Sequence, residues 1–221
     1  MIAVAIDGPA GAGKSTISKA AAASLGFIYI DTGALYRAIA YACVSRRISL
    51  SETAAVEAVL PELEIRLVFL NGVQHILLND EDISESIRTE EVSMAASNVS
   101  AIPAVREYLL DLQRSLAKNA DVIMDGRDIG TVILPNAQVK IFLTASPEKR
   151  ARRRVDQLAE KGIAADFDKV LYDIVQRDYN DSHRKTAPLK AAEGAVTIDT
   201  SDMTLEESIA AVIETIKEKT V

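Results

Sequence analysis

The stretch "DGPAGAGKST", residues 7–16, follows the apolar run "MIAVAI" and opens an alanine-rich helical pattern. It matches the spacing G-x-x-x-x-G-K-[ST] with Gly8, Gly13, Lys14 and Ser15. Glycines let backbone N–H groups converge on phosphate oxygens at a helix N-terminus, the lysine reaches the outer phosphates, and the hydroxyl can ligate Mg²⁺. The stretch predicts a nucleotide-binding P-loop, since a turn that binds nothing has no need of this pattern. The predicted binding residues are Gly8, Pro9, Ala10, Gly11, Ala12, Gly13, Lys14, Ser15 and Thr16.

Short apolar runs that end at polar or glycine turns recur along the chain, and helical patterns separate them. Such runs are typical of buried parallel strands, and their alternation with helices favours an α/β sheet with right-handed crossovers. We therefore predict an α/β fold of the P-loop NTPase type, a parallel sheet of about five strands flanked by helices. The predicted strands are 2–6, 27–30, 122–124, 139–143 and 195–198, and the predicted helices are 15–25, 34–44, 103–118, 147–161, 167–180 and 204–219.

One segment between the second and third core strands departs from this alternation. "LEIRLVFLNGVQHILLND" has two strand patterns around Asn71-Gly72, a strong hairpin signal. We predict that residues 63–98 form a small, mostly antiparallel insert and that residues 1–62 and 99–221 form the core.

The composition limits the classes of partner. The chain has 221 residues, is 48% hydrophobic and 26% charged, and has a net charge of 25 − 32 = −7. An acidic chain without a long apolar run argues against binding to nucleic acid or to a membrane. The single cysteine and the absence of a basic N-terminal region predict a cytoplasmic protein without a signal peptide, and nothing in the sequence demands an oligomer, so we expect a monomer. Residues 149–190 hold 11 basic and 7 acidic residues, hence +4, which suggests a small anionic ligand.

Polar residues follow two other predicted strands. "FIYIDTGALYR" offers Thr32 and Arg37, and "VIMDGRDIGT" offers Asp125, Arg127 and Asp128. Ligands of open α/β sheets bind at the carboxyl ends of strands, and arginine suits bidentate phosphate binding. The alternatives are a surface charge on a helix for Arg37 and a polar turn with an internal Asp–Arg pair for "DGRD".

Two late helical patterns carry the cation-rich stretch. Arg150, Arg153 and Arg154 share one face of the first pattern. The apolar face of the second pattern continues into charged residues: Arg177, Asp181 and Arg184. A solvated helix face is the ordinary explanation of "RARRR", but phosphoryl transfer needs cations on the moving group. We expect the catalytic residues to be Lys14, Arg127, Arg153 and Arg154.

A set of motifs over nearly the whole chain resembles the bacterial cytidylate kinases, of the nucleoside monophosphate (NMP) kinase group. The motifs are "IDGPAGAGKST", "DTGALYR", "IRTEEV", "VREYLLDLQR", "DGRDIGTV", "VKIFLTAS", "RARRR" and "RDYNDSHRKTAPL". The resemblance implies a kinase of pyrimidine nucleotide metabolism that transfers the γ-phosphoryl group of ATP to CMP or dCMP with Mg²⁺. It also implies that the insert 63–98 binds the monophosphate and that a helical, arginine-bearing lid lies at about residues 150–167.

The resemblance further implies the ligand contacts, residue by residue. Three residues match contacts to the acceptor phosphate: Thr32, Arg37 and Arg127. Four match cytosine contacts: Ser97, Arg106, Asp128 and Arg184. Two match sugar contacts: Arg177 and Asp181. The predicted metal residues are Ser15, from the P-loop motif, and Asp125, which matches the position where related kinases hold Mg²⁺-bound water.

Two other functions remain possible from the residues alone. A kinase that phosphorylates a hydroxyl, similar to shikimate kinase, needs a carboxylate base, for which Asp31 and Asp128 are candidates. A phosphate acceptor is already ionised at pH 7, since its second pKa is about 6, and the pair Arg37 and Arg127 favours it. A nucleotide-dependent switch is the other alternative, but the strings D-x-x-G and N-K-x-D of such switches do not occur in the sequence.

Overall fold

The computed structural model of the chain describes residues 1–70 and 72–220. The chain divides into two compact units, residues 1–29 with 120–221 and residues 30–119. Strands β1 to β8 are Ala3–Asp7, Ile28–Asp31, Ile65–Leu70, Val73–Leu78, Glu81–Asp82, Val122–Gly126, Val139–Thr144 and Val196–Asp199. Helices α1 to α8 are Lys14–Leu25, Gly33–Ser45, Thr53–Val59, Glu90–Val99, Pro103–Leu116, Pro147–Glu160, Phe167–His183 and Leu205–Thr220.

The predicted parallel sheet is confirmed. In the described part of the chain it has five strands in the order β2-β6-β1-β7-β8. The central strand β1 pairs in parallel on both sides, so that Ala5 lies between Met124 and Lys140. Its apolar run is buried because both faces of the sheet are covered, and Val4 and Ile6 are fully inaccessible. All five predicted strands lie within one or two residues of the observed ones.

Two helices of the first unit, α6 and α7, begin at side-chain caps. The Ser146 hydroxyl accepts a hydrogen bond from the backbone N–H of Lys149 at the start of α6, and the Asp166 carboxylate accepts one from Lys169 at the start of α7. Helices α1 and α8 cover the sheet with side chains such as Ile17 of α1. None of the helices in the described part of the chain combines the length and apolarity that a membrane crossing needs.

The second unit has its own apolar core, built by α2, α4, α5 and the hairpin. Strands β3 and β4 pair antiparallel as predicted, and β5 adds a short third strand. Asn71 of the predicted hairpin turn lies outside the described residues. Leu35 and Ile39 of α2 pack with Ile76 of β4, Val92 of α4 and Leu109 of α5.

Two helices were missed by the sequence analysis. The segment 63–98 was predicted to be mostly antiparallel, but it ends in α4, and α3 lies before it. The Thr89 hydroxyl caps α4 by accepting from Val92 N–H, and the acidic residues Glu90 and Glu91 occupy its first turn, where a helix favours negative charge. The compact unit 30–119 contains the segment 63–98, whose role in binding a nucleotide stays a prediction.

Candidate functional site

The predicted P-loop lies between β1 and α1, at the carboxyl end of the central strand. Gly8 has φ +154°, and a Cβ at this position would lie 1.9 Å from the carbonyl oxygen of Leu143 at the end of β7. Only glycine therefore lets the loop turn this closely past the neighbouring strand. The loop ends at Gly13, so Lys14 and Ser15 stand in the first turn of α1. This geometry presents backbone N–H groups at a helix N-terminus, the usual arrangement for an anion.

Lys14 is buried beneath this loop. Its side chain is 6% exposed, and Nζ donates to the carbonyl oxygen of Pro9 at 2.7 Å. Burial, and after it the positive charge of Arg127, lower the pKa of Lys14 to about 7, against the attraction of nearby carboxylates. Phosphate oxygens would supply the negative charge that this ammonium lacks.

Ser15, Tyr29 and Asp125 form a hydrogen-bonded group beside the P-loop. The Ser15 hydroxyl donates to Asp125 Oδ2 at 2.9 Å, and the Tyr29 hydroxyl donates to Oδ1 at 3.0 Å. Hydroxyl and carboxylate oxygens fit Mg²⁺, which usually takes one or two protein ligands and completes its shell with phosphates and water. Within residues 1–70 and 72–220, no cluster of three or more His, Cys, Asp or Glu side chains could hold a metal ion by itself. The site therefore fits a metal that arrives with a nucleotide.

Charged residues after β6 form ion pairs with the end of α7. Arg127 Nε lies 2.9 Å from Asp181 Oδ2, and Arg184 Nη2 lies 3.6 Å from Asp128 Oδ1. Arg184 Nε also donates to the carbonyl oxygen of Ala187 at 2.7 Å. The pairs therefore join two distant parts of the sequence, whereas the alternative for "DGRD" was a pair within the turn. The structure thus brings together four residues predicted to contact the acceptor nucleotide: Arg127, Asp128, Asp181 and Arg184. Arg177 lies half-buried on α7.

The three arginines predicted to share one face of α6 differ in burial and in their contacts. Arg150 is buried, donating to the carbonyl oxygens of Ala145 at 2.8 Å and Ala10 at 2.9 Å. Its guanidinium also forms a bidentate pair with Asp178 of α7, at 3.1 and 2.5 Å. Arg153 donates to the carbonyl oxygen and hydroxyl of Thr200, at 2.6 and 3.3 Å, and Arg154 is exposed. Arg150 thus stabilises the P-loop by donating to its backbone, a role that the sequence analysis did not predict.

The second unit carries the remaining predicted acceptor residues. Arg37 of α2 forms an ion pair with Asp31 at 2.6 Å, and the other Asp31 oxygen accepts from Ala34 N–H at 3.1 Å. The Gln74 amide of β4 accepts from the backbone N–H of Asp31 at 2.9 Å and donates to its carbonyl oxygen at 3.4 Å. Thr32 is buried at the start of α2. Gln74 was missed, because only the hairpin packing gives it this contact.

Arg106 of α5 connects the helices of this unit. It is 7% exposed, Nη1 donates to the carbonyl oxygen of Ser100 after α4 at 3.1 Å, and its Cζ lies 5.5 Å from the centre of the Tyr36 ring. Ser97 lies half-buried on α4. A buried guanidinium needs such acceptors, since an uncompensated buried charge is strongly destabilising.

Asp7, immediately before the P-loop, is a further buried carboxylate that the sequence analysis did not single out. It accepts hydrogen bonds from Ile129 N–H at 2.7 Å and Gly130 N–H at 2.8 Å. Burial raises its pKa to about 6, although the two backbone hydrogen bonds act in the opposite direction.

Comparisons with known proteins show the family of the chain and related folds. The family model for cytidylate kinase matches residues 4–218. A cytidylate kinase of Caldicellulosiruptor saccharolyticus is 51% identical over 213 residues, which cover 96% of this chain and 94% of that protein. One of Caldanaerobacter subterraneus subsp. tengcongensis is 50% identical over 219 residues, 99% of this chain and 96% of that protein. The crystal structure of an uncharacterized protein from Eubacterium ventriosum shares the fold, with a TM-score of 0.51 over 98% of each chain at 13% identity.

Because the family model spans residues 4–218 and relatives match half of the residues over nearly their full length, the chain belongs to the cytidylate kinase family.

Proposed function

We propose that this chain transfers the γ-phosphoryl group of ATP to CMP or dCMP and releases ADP with CDP or dCDP. The observation that carries the proposal is that three arginines predicted to contact the acceptor nucleotide are each held by a carboxylate: Arg37 by Asp31, Arg127 by Asp181, and Arg184 by Asp128. Guanidinium groups held in fixed positions suit an anionic acceptor, because arginine binds phosphate bidentately.

The same pairs disfavour a hydroxyl acceptor. An alcohol must lose its proton to a general base, and the candidates for that role were Asp31 and Asp128. Asp31 is bonded to Arg37 and to the start of α2, and Asp128 lies beside Arg184. Both carboxylates are thus already engaged by guanidinium groups rather than turned toward an alcohol. A nucleoside monophosphate needs no such base.

The P-loop residues 8–16 are proposed to bind the ATP phosphates, and Lys14 to stabilise the charge that develops during transfer. Lys14 is already buried, and its Nζ is hydrogen-bonded to the P-loop backbone. Little reorganisation is therefore needed when phosphate oxygens replace the Pro9 carbonyl oxygen as the acceptor of this hydrogen bond. Ser15 and Asp125 would hold Mg²⁺, directly or through water, and the ion would neutralise phosphate charge.

We assign the acceptor contacts as the family resemblance implies. Thr32, Arg37 and Arg127 bind the acceptor phosphate, and Arg177 and Asp181 bind the sugar. The residues proposed for the cytosine ring are Ser97, Arg106, Asp128 and Arg184. The burial of Thr32, Arg106, Asp128 and Asp181 supports these roles, since buried polar groups discriminate strongly between ligands that can and cannot pair with them.

Residues 1–62 and 99–221 are proposed to act as the kinase core, 63–98 as the NMP-binding insert, and about 150–167 as the lid. Arg153 and Arg154 of the lid would join Arg127 in stabilising the transferring group, Arg153 after leaving Thr200. We propose that the enzyme acts as a cytoplasmic monomer on free nucleotides. Light scattering of the purified protein tests the oligomeric state.

One assay tests the activity. ADP formation is measured in a coupled assay with ATP, Mg²⁺ and, separately, CMP, dCMP, UMP, AMP or shikimate, with a reaction without acceptor as the blank. CMP and dCMP should give the highest kcat/KM. Turnover with shikimate but not with CMP would replace the proposal by a hydroxyl kinase, and nucleotide binding without acceptor-dependent turnover would indicate a switch.

A further inference from the structure

The Asp7 carboxylate holds the loop that follows β6. Ile129–Ile133 forms a π-helical turn, in which Leu134 N–H bonds to the carbonyl oxygen of Ile129 at 2.7 Å. The first N–H groups of a helical turn have no partner within it. Two of them, from Ile129 and Gly130, donate to the two oxygens of Asp7. One buried side chain at the end of β1 therefore fixes the start of this turn.

Asp128 lies directly before the π-helical turn, and the far end of that turn is hydrogen-bonded to its backbone. Its carbonyl oxygen accepts from Val132 N–H at 2.9 Å and Ile133 N–H at 3.2 Å. Its carboxylate lies beside Arg184. With the Asp128 carbonyl and the next two N–H groups all bonded, the backbone sets the direction in which the Asp128 side chain leaves the chain.

We propose that Asp7 is a positioning residue for base selection, which it serves by fixing the backbone that orients Asp128 toward the acceptor base. The inference rests on the proposed function, in which Asp128 and Arg184 contact cytosine. A carboxylate accepts from the cytosine N4 amino group but meets a carbonyl oxygen in uracil, so its direction affects the choice of base.

Asp7 also attracts Lys14 electrostatically, which gives a second role that an experiment must separate. A role through Lys14 would lower kcat or raise the KM for ATP equally with CMP and UMP as acceptor, whereas a role through Asp128 raises the KM for CMP and changes the choice of base. The kcat, the Michaelis constants for the two substrates and the CMP over UMP ratio together distinguish the two roles.

The test is Asp7→Asn, in which the amide oxygen accepts one N–H while the NH₂ group faces the other. We expect the KM for CMP to rise roughly tenfold to a hundredfold, the scale of a small misplacement of a substrate-binding group. The kcat/KM ratio of CMP over UMP should fall, and the KM for ATP should stay within about twofold, since the P-loop keeps its contacts. Asp121→Asn is the matched control, because its carboxylate accepts from Ile2 N–H at 2.6 Å at the opposite end of β1.

A second variant perturbs the same contact without removing the carboxylate. In Gly130→Ala the new Cβ would lie 3.3 Å from Asp7 Oδ2 and 3.1 Å from Ala192 Cβ, so the loop must shift by a few tenths of an ångström. It should lower the CMP over UMP ratio in the same direction as Asp7→Asn, and Asp121→Asn should leave the ratio unchanged.

Three outcomes overturn the inference: equal losses for CMP and UMP, a rise in the KM for ATP with an unchanged base ratio, or the same change of ratio in Asp121→Asn. Absence of CMP kinase activity in the unmodified protein would instead remove the proposed function itself, so the two failures are distinguishable.

Discussion

The buried Asp7 carboxylate makes the stability of the protein depend on pH in a direction opposite to that of most carboxylates. Two backbone N–H donors favour its ionised form, whereas burial favours its protonated form. Burial prevails, and the pKa rises from 3.8 to about 6. The protonated carboxyl therefore stabilises the fold relative to the unfolded chain. This contribution is fully present below pH 3.8 and is lost as the pH rises through about 6.

The magnitude follows from the two pKa values. A difference of about 2 units at 1.36 kcal/mol per unit amounts to about 3 kcal/mol over the whole range. Roughly 1.4 kcal/mol of it falls between pH 5 and pH 8, by the linkage relation for one group. Asp7→Asn cannot titrate. The free energy of unfolding of the native protein minus that of the variant should therefore decrease by this amount over the interval.

Urea denaturation at pH 5, 6, 7 and 8 measures this difference. Asp199→Asn is the control, since hydrogen bonds from the Ser201 hydroxyl and N–H lower the pKa of the exposed Asp199. The contribution of Asp199 to stability is present above its pKa in the unfolded chain and is lost only in more acidic solution. The difference in unfolding free energy between the native protein and Asp199→Asn should therefore stay constant from pH 5 to pH 8. A difference for Asp7→Asn that stays constant or grows with pH would show that the two N–H bonds outweigh burial, and would refute the reasoning.

Three further predictions concern the activity. Lys14→Ala should lower kcat by more than about a hundredfold, the scale of losing one preorganised donor, and near-native turnover in steady-state kinetics would exclude the P-loop as the catalytic centre. Arg154→Ala should lower kcat more than it weakens CMP binding measured by calorimetry, whereas a loss of CMP affinity alone would assign Arg154 to the acceptor pocket. Asp128→Asn should lower the kcat/KM ratio of CMP over UMP about tenfold to a hundredfold, and equal losses for both would make Asp128 structural.

The core elements could be predicted because their signals are local. A buried strand such as β1 is a continuous apolar run, and α6 and α7 begin at capping residues that the sequence displays. Helix α4 was missed because the adjoining hairpin pattern dominated the segment 63–98 and its own apolar face is short. Its Thr89 cap, followed by two glutamates, was the signal that could have identified it.

The site could be predicted only where a motif states it. The P-loop spacing and the family motifs indicate Lys14 and the acceptor residues. The supporting contacts join residues far apart in the sequence, 122 positions for Asp7 and Ile129 and 140 for Arg150 and Ala10. The arginines of "RARRR" cannot be distinguished from the sequence. In the structure Arg150 is buried and Arg154 is exposed, because only folding brings hydrogen-bond acceptors to Arg150.

The position of Arg150 has a consequence for how the molecule opens. Its guanidinium bonds at once to the P-loop, to the end of β7 and to α7, so none of these can detach without leaving buried donors unsatisfied. Loops ordinarily unfold locally long before the elements that flank them. Here we expect the amide hydrogens of the P-loop, the first turn of α6 and the middle of α7 to exchange with solvent as one cooperative unit.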